Sequence, residues 1–106
     1  MKESVRKWLG EQMAGMDDMF ADIYAEYAET AKRLYGELSA KRSEGADFET
    51  VDRIAHTLKG NALMVGDQAL FEAVQAWREA IRNGGLAAGD PIWDAIGREV
   101  EAIDAD

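Results

Sequence analysis

The sequence predicts an all-α fold: an antiparallel up-down four-helix bundle with a short additional N-terminal helix. Three observations lead there. Apolar residues recur at three- and four-residue spacing in four long segments, the period of one face of a helix. Glycine- and aspartate-rich connections between these segments are short, which makes consecutive helices antiparallel neighbours. No stretch alternates strictly between apolar and polar residues as a half-buried strand would, and no repeat or low-complexity tract interrupts the pattern. With 106 residues, the chain is read as one domain, 1–106.

The first helix is expected over residues 2–13, with Val5, Trp8, Leu9 and Met13 on its apolar side, ending near Gly10 or Gly15 and capping one end of the bundle. Asp17 or Asp18 offers an N-cap for the longest helix. Phe20, Ile23, Tyr24, Tyr27, Ala31, Leu34 and Leu38 follow at helical spacing to about Arg42, while Glu26, Glu29, Arg33 and Glu37 line the outer face. Glu29 and Arg33 have the four-residue spacing that favours an ion pair. Ser43 to Ala46 reads as a turn and Asp47 as the next N-cap, with Thr50 where a complete capping box has Glu or Gln.

A helix from Phe48 to about Met64 follows, closed by Gly66 as a left-handed residue, and Asp67 starts the next helix almost at once. Leu70, Ala73, Val74, Trp77 and Ile81 form the inner stripe of that helix, which stops at Asn83-Gly84-Gly85, with a loop to Gly89. Asp90 as N-cap and Pro91 at the first helical position open the last helix, whose apolar line is Ile92, Ile96, Val100 and Ile103 with Trp93 at its margin.

Composition excludes several classes of function. A net charge of −9 and a pI near 4.5 argue against nucleic acid, whose binding is dominated by basic contacts to phosphate, and against an anionic membrane surface. The chain has no cysteine, so disulfides and thiolate chemistry are absent. Neither a secretory apolar run at the start nor a membrane-length apolar segment is present, so a cytoplasmic, monomeric protein is expected.

The chemistry gathers at the only histidine. On the Phe48–Met64 helix, Val51, Ile54, Ala55, Leu58, Ala62 and Val65 fall within one arc of roughly 100°, the buried face. His56 falls opposite, with Lys59 and Gly60 one turn further on. A glycine inside a helix costs about 1 kcal/mol relative to alanine, so Gly60 suggests that something must come close. Leu63 and Met64 project toward the histidine side as a small apolar rim suited to docking a partner.

His56-Thr57-Leu58-Lys59-Gly60, with Gly66 ten residues after the histidine, resembles the signature of histidine-containing phosphotransfer (HPt) domains, and the resemblance extends from about Asp17 to the end. It implies that His56 accepts a phosphoryl group from, or returns it to, the aspartate of a response-regulator receiver domain or a histidine-kinase relay. Lys59 would then stabilise the phosphate charge and Gly60 would give the partner clearance. It also implies a phosphocarrier rather than an enzyme, with no cofactor or metal of its own, the Mg²⁺ belonging to the receiver.

The sequence departs from that family at Arg78. Twenty-two residues after the histidine, members often place a Gln or Glu that accepts a hydrogen bond from the ring, which arginine cannot do. Asp52 and Gln75 are the candidate replacements, and Arg78 is a candidate contact for phosphoryl oxygens alongside Lys59. Asn61 stands where a small hydroxyl residue is usual, and no chemical role is assigned to it.

Other readings fare worse. A di-metal carboxylate bundle needs two Glu-x-x-His pairs, and here Arg53 stands three residues before the single histidine. A hydrolase triad lacks its nucleophile motif. The rival from another class is a helical protein-interaction adaptor that never carries phosphate.

Overall fold

The computed structural model describes residues 1–12 and 15–104, and of Asp17 the backbone alone. Its helices are α1 (Glu3–Gln12), α2 (Phe20–Glu44), α3 (Phe48–Met64), α4 (Gln68–Gly84) and α5 (Asp90–Ala102). Single 3₁₀ turns at Asp17–Met19 and Leu86–Gly89 complete the order, and no strand occurs among the described residues. In the bundle, 45 by 22 by 20 Å, α2 packs on α3 and α5, and α4 on α3 and α5. The four long helices therefore close a ring around one core, as the sequence predicts, with α1 added across one end.

Local chemistry sets most of the helix ends. Gly45, at φ +73°, terminates α2, and the Asp47 side chain accepts from the Thr50 amide at 3.0 Å to start α3. Gly66, also at φ +73°, makes the left-handed turn after α3 that a side chain would disfavour. Asp67 accepts from the Leu70 amide at 3.3 Å to start α4. Two expected caps are displaced. The N-cap of α2 is Met19, with no side-chain bond, because the 3₁₀ turn delays the helix beyond the aspartates. Asp90 is already helical and Gly89 is the N-cap of α5; the Asp90 carboxylate pairs instead with Arg42 at 2.7 Å.

Elsewhere the outer face of α2 is exposed as expected, but Arg33 pairs with Glu37 at 3.3 Å rather than with Glu29. The α1 helix runs through Gly10, and Met13 lies outside the described residues. Trp93, expected at a margin, is buried in the core, where it stacks on Tyr35 at 5.3 Å and meets Trp77 at 5.4 Å. A large aromatic gains more by burial than its position on the α5 arc suggests.

One polar cluster ties α1 to the bundle. Asp67 is fully buried, and its carboxylate accepts from Lys2 Nζ at 2.8 and 3.0 Å and from the Tyr27 hydroxyl at 2.6 Å. Lys2 also reaches Glu99 at 3.0 Å. Burial, and then the hydrogen bond to Asp67, hold the Tyr27 phenol well above its ordinary range, so it stays a donor. Val5 and Leu9 are fully buried beneath α1, and Trp8 lies over Gly66, where a Cβ would come within 2.5 Å of the tryptophan Cβ. Asp67→Ala leaves the Tyr27 hydroxyl and the Lys2 ammonium without their buried acceptor, and is expected to cost about 3 kcal/mol in urea unfolding, at the low end for breaking a buried ion pair. A loss under about 0.5 kcal/mol, the range of a surface substitution, would show that the cluster does not hold α1.

Candidate functional site

The apolar stripe of α3 determines which of its residues face outward. Val51, Ala55, Leu58 and Ala62 are fully buried, Ile54 is partly buried, and His56 and Thr57 are exposed. Thr57 satisfies its hydroxyl on the Arg53 carbonyl at 3.1 Å. Gly60, one turn beyond His56, has open space where a Cβ would stand, with nothing within 4 Å. It is not a helix-packing contact; it keeps the surface beside the imidazole low.

That surface is the floor of a groove of about 470 Å³ between α2 and α3, lined by Thr30 and Leu34 from α2 and by His56, Gly60, Leu63 and Met64 from α3. Leu63 is 56 % exposed and Met64 73 %. Large apolar side chains left so open beside a polar group have the character of an interface. The side-chain Nδ2 of Asn61, between this groove and the next, is buried without a hydrogen-bond partner.

On the other flank, α4 supplies the ring's polar contact. Arg78 is buried, and its Nε and Nη2 donate to the two carboxylate oxygens of Asp52 at 2.8 and 3.1 Å. Its Nη1 lies 3.3 Å from His56 Nδ1. Arginine has donors only, so in this contact Nδ1 is the acceptor. The hydrogen bond from Arg78 holds the Asp52 carboxyl below the usual carboxylate range, against the opposing effect of burial.

The expected acceptors of a ring N–H therefore take other roles. Asp52 orients Arg78, and Gln75 donates to Glu79 at 3.3 Å while its own Oε1 is buried without a partner. Lys59 is half-buried, with its ammonium 5.8 Å from the centroid of the Phe71 ring on α4.

The structure thus brings His56, Gly60, Leu63 and Met64 together at one groove and sets Arg78 and Asp52 beside the ring. The Arg78 contact carries a signal that sequence reasoning did not use. An antiparallel hairpin turning at Asp67 places positions equally far before and after it opposite one another, and His56 and Arg78 stand eleven residues to either side. Among the described residues no cluster of His, Cys, Asp and Glu fit to hold a metal occurs, and no helix is long and apolar enough to cross a membrane.

The family model described as the Hpt domain matches residues 16–106, which include α2 to α5 and leave α1 outside. No curated protein and no solved structure gives a significant match.

The Asp52–Arg78 pair makes a signed prediction. A carboxylate whose folded pKa is depressed contributes stability that is fully present above its unfolded value, about 3.9, and lost as pH falls through the folded value. In Arg78→Met the Asp52 carboxyl should titrate higher, nearer that ordinary value, when followed by carboxylate NMR. An Asp52 titration that is the same in both proteins would mean that the ion pair does not form in solution.

Proposed function

Because the chain belongs to the Hpt family, which implies phosphotransfer in two-component signalling, we propose that it is a phosphorelay intermediate carrying the phosphoryl group on His56. The observation that supports this reading best is the exposed imidazole on the bundle wall, beside the clearance at Gly60 and the apolar rim of Leu63 and Met64.

A neutral imidazole is a nucleophile near pH 7. On meeting the aspartyl phosphate of a receiver domain, a ring nitrogen forms an N–P bond as the acyl-phosphate P–O bond breaks. The aspartate leaves as a carboxylate and the ring gives up a proton. Transfer to a receiver aspartate is the same sequence reversed. Phosphoryl transfer depends on positioning and on stabilising charge on the equatorial oxygens, and the receiver brings the Mg²⁺ and the aspartate. The carrier needs an accessible nucleophile, room for the partner and a nearby cation. Lys59 fits the last role, since its flexible stem lets the ammonium leave Phe71 for the phosphoryl oxygens. The groove between α2 and α3 is the proposed docking face for the receiver, and a histidine kinase is the alternative donor. The chain acts as a phosphocarrier, without a catalytic apparatus or metal of its own.

Incubation with a phosphorylated receiver, or with an active histidine kinase and ATP, should label the wild type and leave His56→Gln unlabelled. Label that persists in His56→Gln, or never appears on the wild type, would overturn the proposal, and a His56→Ala protein that still signals normally would favour the adaptor. Gly60→Gln should separate stability from function. It should stabilise the helix by about 0.5 kcal/mol, from the propensity of glutamine over glycine, while transfer slows sharply because the clearance is filled. A wild-type transfer rate in Gly60→Gln would show that the glycine is not there for a partner.

A further inference from the structure

The guanidinium of Arg78 reaches His56 from a buried position with its other donors already committed. Nε and Nη2 grip the two oxygens of Asp52 at 2.8 and 3.1 Å, a bidentate fork that fixes the plane of the group. The fork aims Nη1 at Nδ1 of the ring, 3.3 Å away. Among the described residues His56 has no other hydrogen-bond partner, and it is exposed, so Nε2 is the nitrogen left for a visitor.

We propose that Arg78, held by Asp52, is a positioning residue that keeps Nδ1 of His56 a hydrogen-bond acceptor, which places the resting ring's proton on Nε2, and that the same contact retains the phosphohistidine once Nε2 is phosphorylated. The inference rests on His56 being the phosphoryl acceptor and adds what sets its tautomer and its lifetime.

A neutral imidazole carries one proton. With Nδ1 accepting from a group that has no acceptor of its own, that proton is on Nε2. Attack by Nε2 needs a lone pair there, so the ring must give up the Arg78 contact and move its proton to Nδ1, or shed the Nε2 proton to water as the N–P bond forms. In either case the donor's P–O bond breaks and its carboxylate takes the electron pair. In the phosphorylated state Nε2 is bonded to phosphorus and Nδ1 again accepts from Arg78. For the group to leave again, the N–P electron pair returns to the ring. That return is easiest when Nδ1 is protonated, so that neutral imidazole departs rather than an imidazolate. A guanidinium at Nδ1 supplies a hydrogen bond but no transferable proton, and it occupies the place a proton would take. Both directions are slowed, and the phosphorylated state lasts longer than it would beside an acceptor.

The sole histidine makes the test clean. Nitrogen-15 NMR of the unphosphorylated protein should show Nδ1 unprotonated and Nε2 protonated in the wild type. Arg78→Gln, whose amide oxygen can accept a ring N–H, should shift the population toward the Nδ1–H form. Asp52→Asn, which keeps the arginine but loosens its fork, should move the spectrum the same way. Arg78→Lys, which keeps a donor, should remain like the wild type.

Loading with the small phosphodonor phosphoramidate should give the Nε2-phosphohistidine by phosphorus-31 NMR, and its hydrolysis in Arg78→Gln should be roughly tenfold faster, the ratio that one hydrogen bond to a charged group supports. An Nδ1–H ring or an Nδ1–P bond in the wild type, or ring spectra and lifetimes that are the same in wild type and Arg78→Gln, would overturn the proposal. Because the ring spectrum is read without phosphate, it decides the role of Arg78 separately from the relay. If no receiver or kinase loads His56 while the tautomer follows residue 78, the relay reading fails and the positioning role stands.

Discussion

The left-handed turn at Gly66 constrains most of what matters in this chain. It folds α4 back against α3 with three residues, 65–67, between them, and that fixes the register of the two helices. Asp67, at the turn, is drawn out of water entirely and becomes the buried anchor for Lys2 and Tyr27, so the turn that aligns α3 with α4 also holds the N-terminal helix. Eleven residues away in each direction the same register sets Arg78 beside His56. A slip of one residue between the helices would remove the guanidinium from the ring.

The bundle divides its work between the two sides of α3. Its inner face is apolar and closed, with Ala55, Leu58 and Ala62 fully buried against neighbouring helices, and this gives the helix the rigidity that short isolated helices lack. The outer face gives up stability for access: a glycine in mid-helix and two large apolar side chains left in water are choices that packing alone would not make. Both lie at the groove that holds His56, which is why the proposed docking face follows from energetics as well as from the family to which the chain belongs. The −9 net charge of the whole chain argues against nucleic acid as the partner, since its binding is dominated by basic contacts to phosphate.

Much of this was legible in the sequence because it rests on local rules. The 3.6-residue period placed the four stripes, Asp47 and Asp67 announced helix starts, Gly66 announced the turn, and the arc of α3 put His56 outside and Gly60 next to it. Less was legible where the outcome depends on partners far apart in the chain. Asp67 read as a cap and nothing more, since nothing local shows that Lys2, sixty-five residues earlier, would follow it into the interior. Trp93 belongs to the core because Tyr35 and Trp77 converge on it from two other helices. Arg78 fell between: the departure from the family was visible, but its attachment to Asp52 and to Nδ1 is a matter of three-dimensional register. Asp90 and Met19 show how a 3₁₀ turn shifts a helix start that composition places elsewhere.

A carrier must release what it accepts, and release is the property that a merely reactive surface histidine would lack. The most direct measurement is therefore discharge: the protein is loaded on His56, freed of donor and mixed with unphosphorylated receiver domains and Mg²⁺. The phosphoryl group should move to a receiver aspartate at a rate that rises with receiver concentration, and Gly60→Gln should slow this movement sharply. Phosphate lost only by hydrolysis, at the same rate with every receiver as with none, would contradict it.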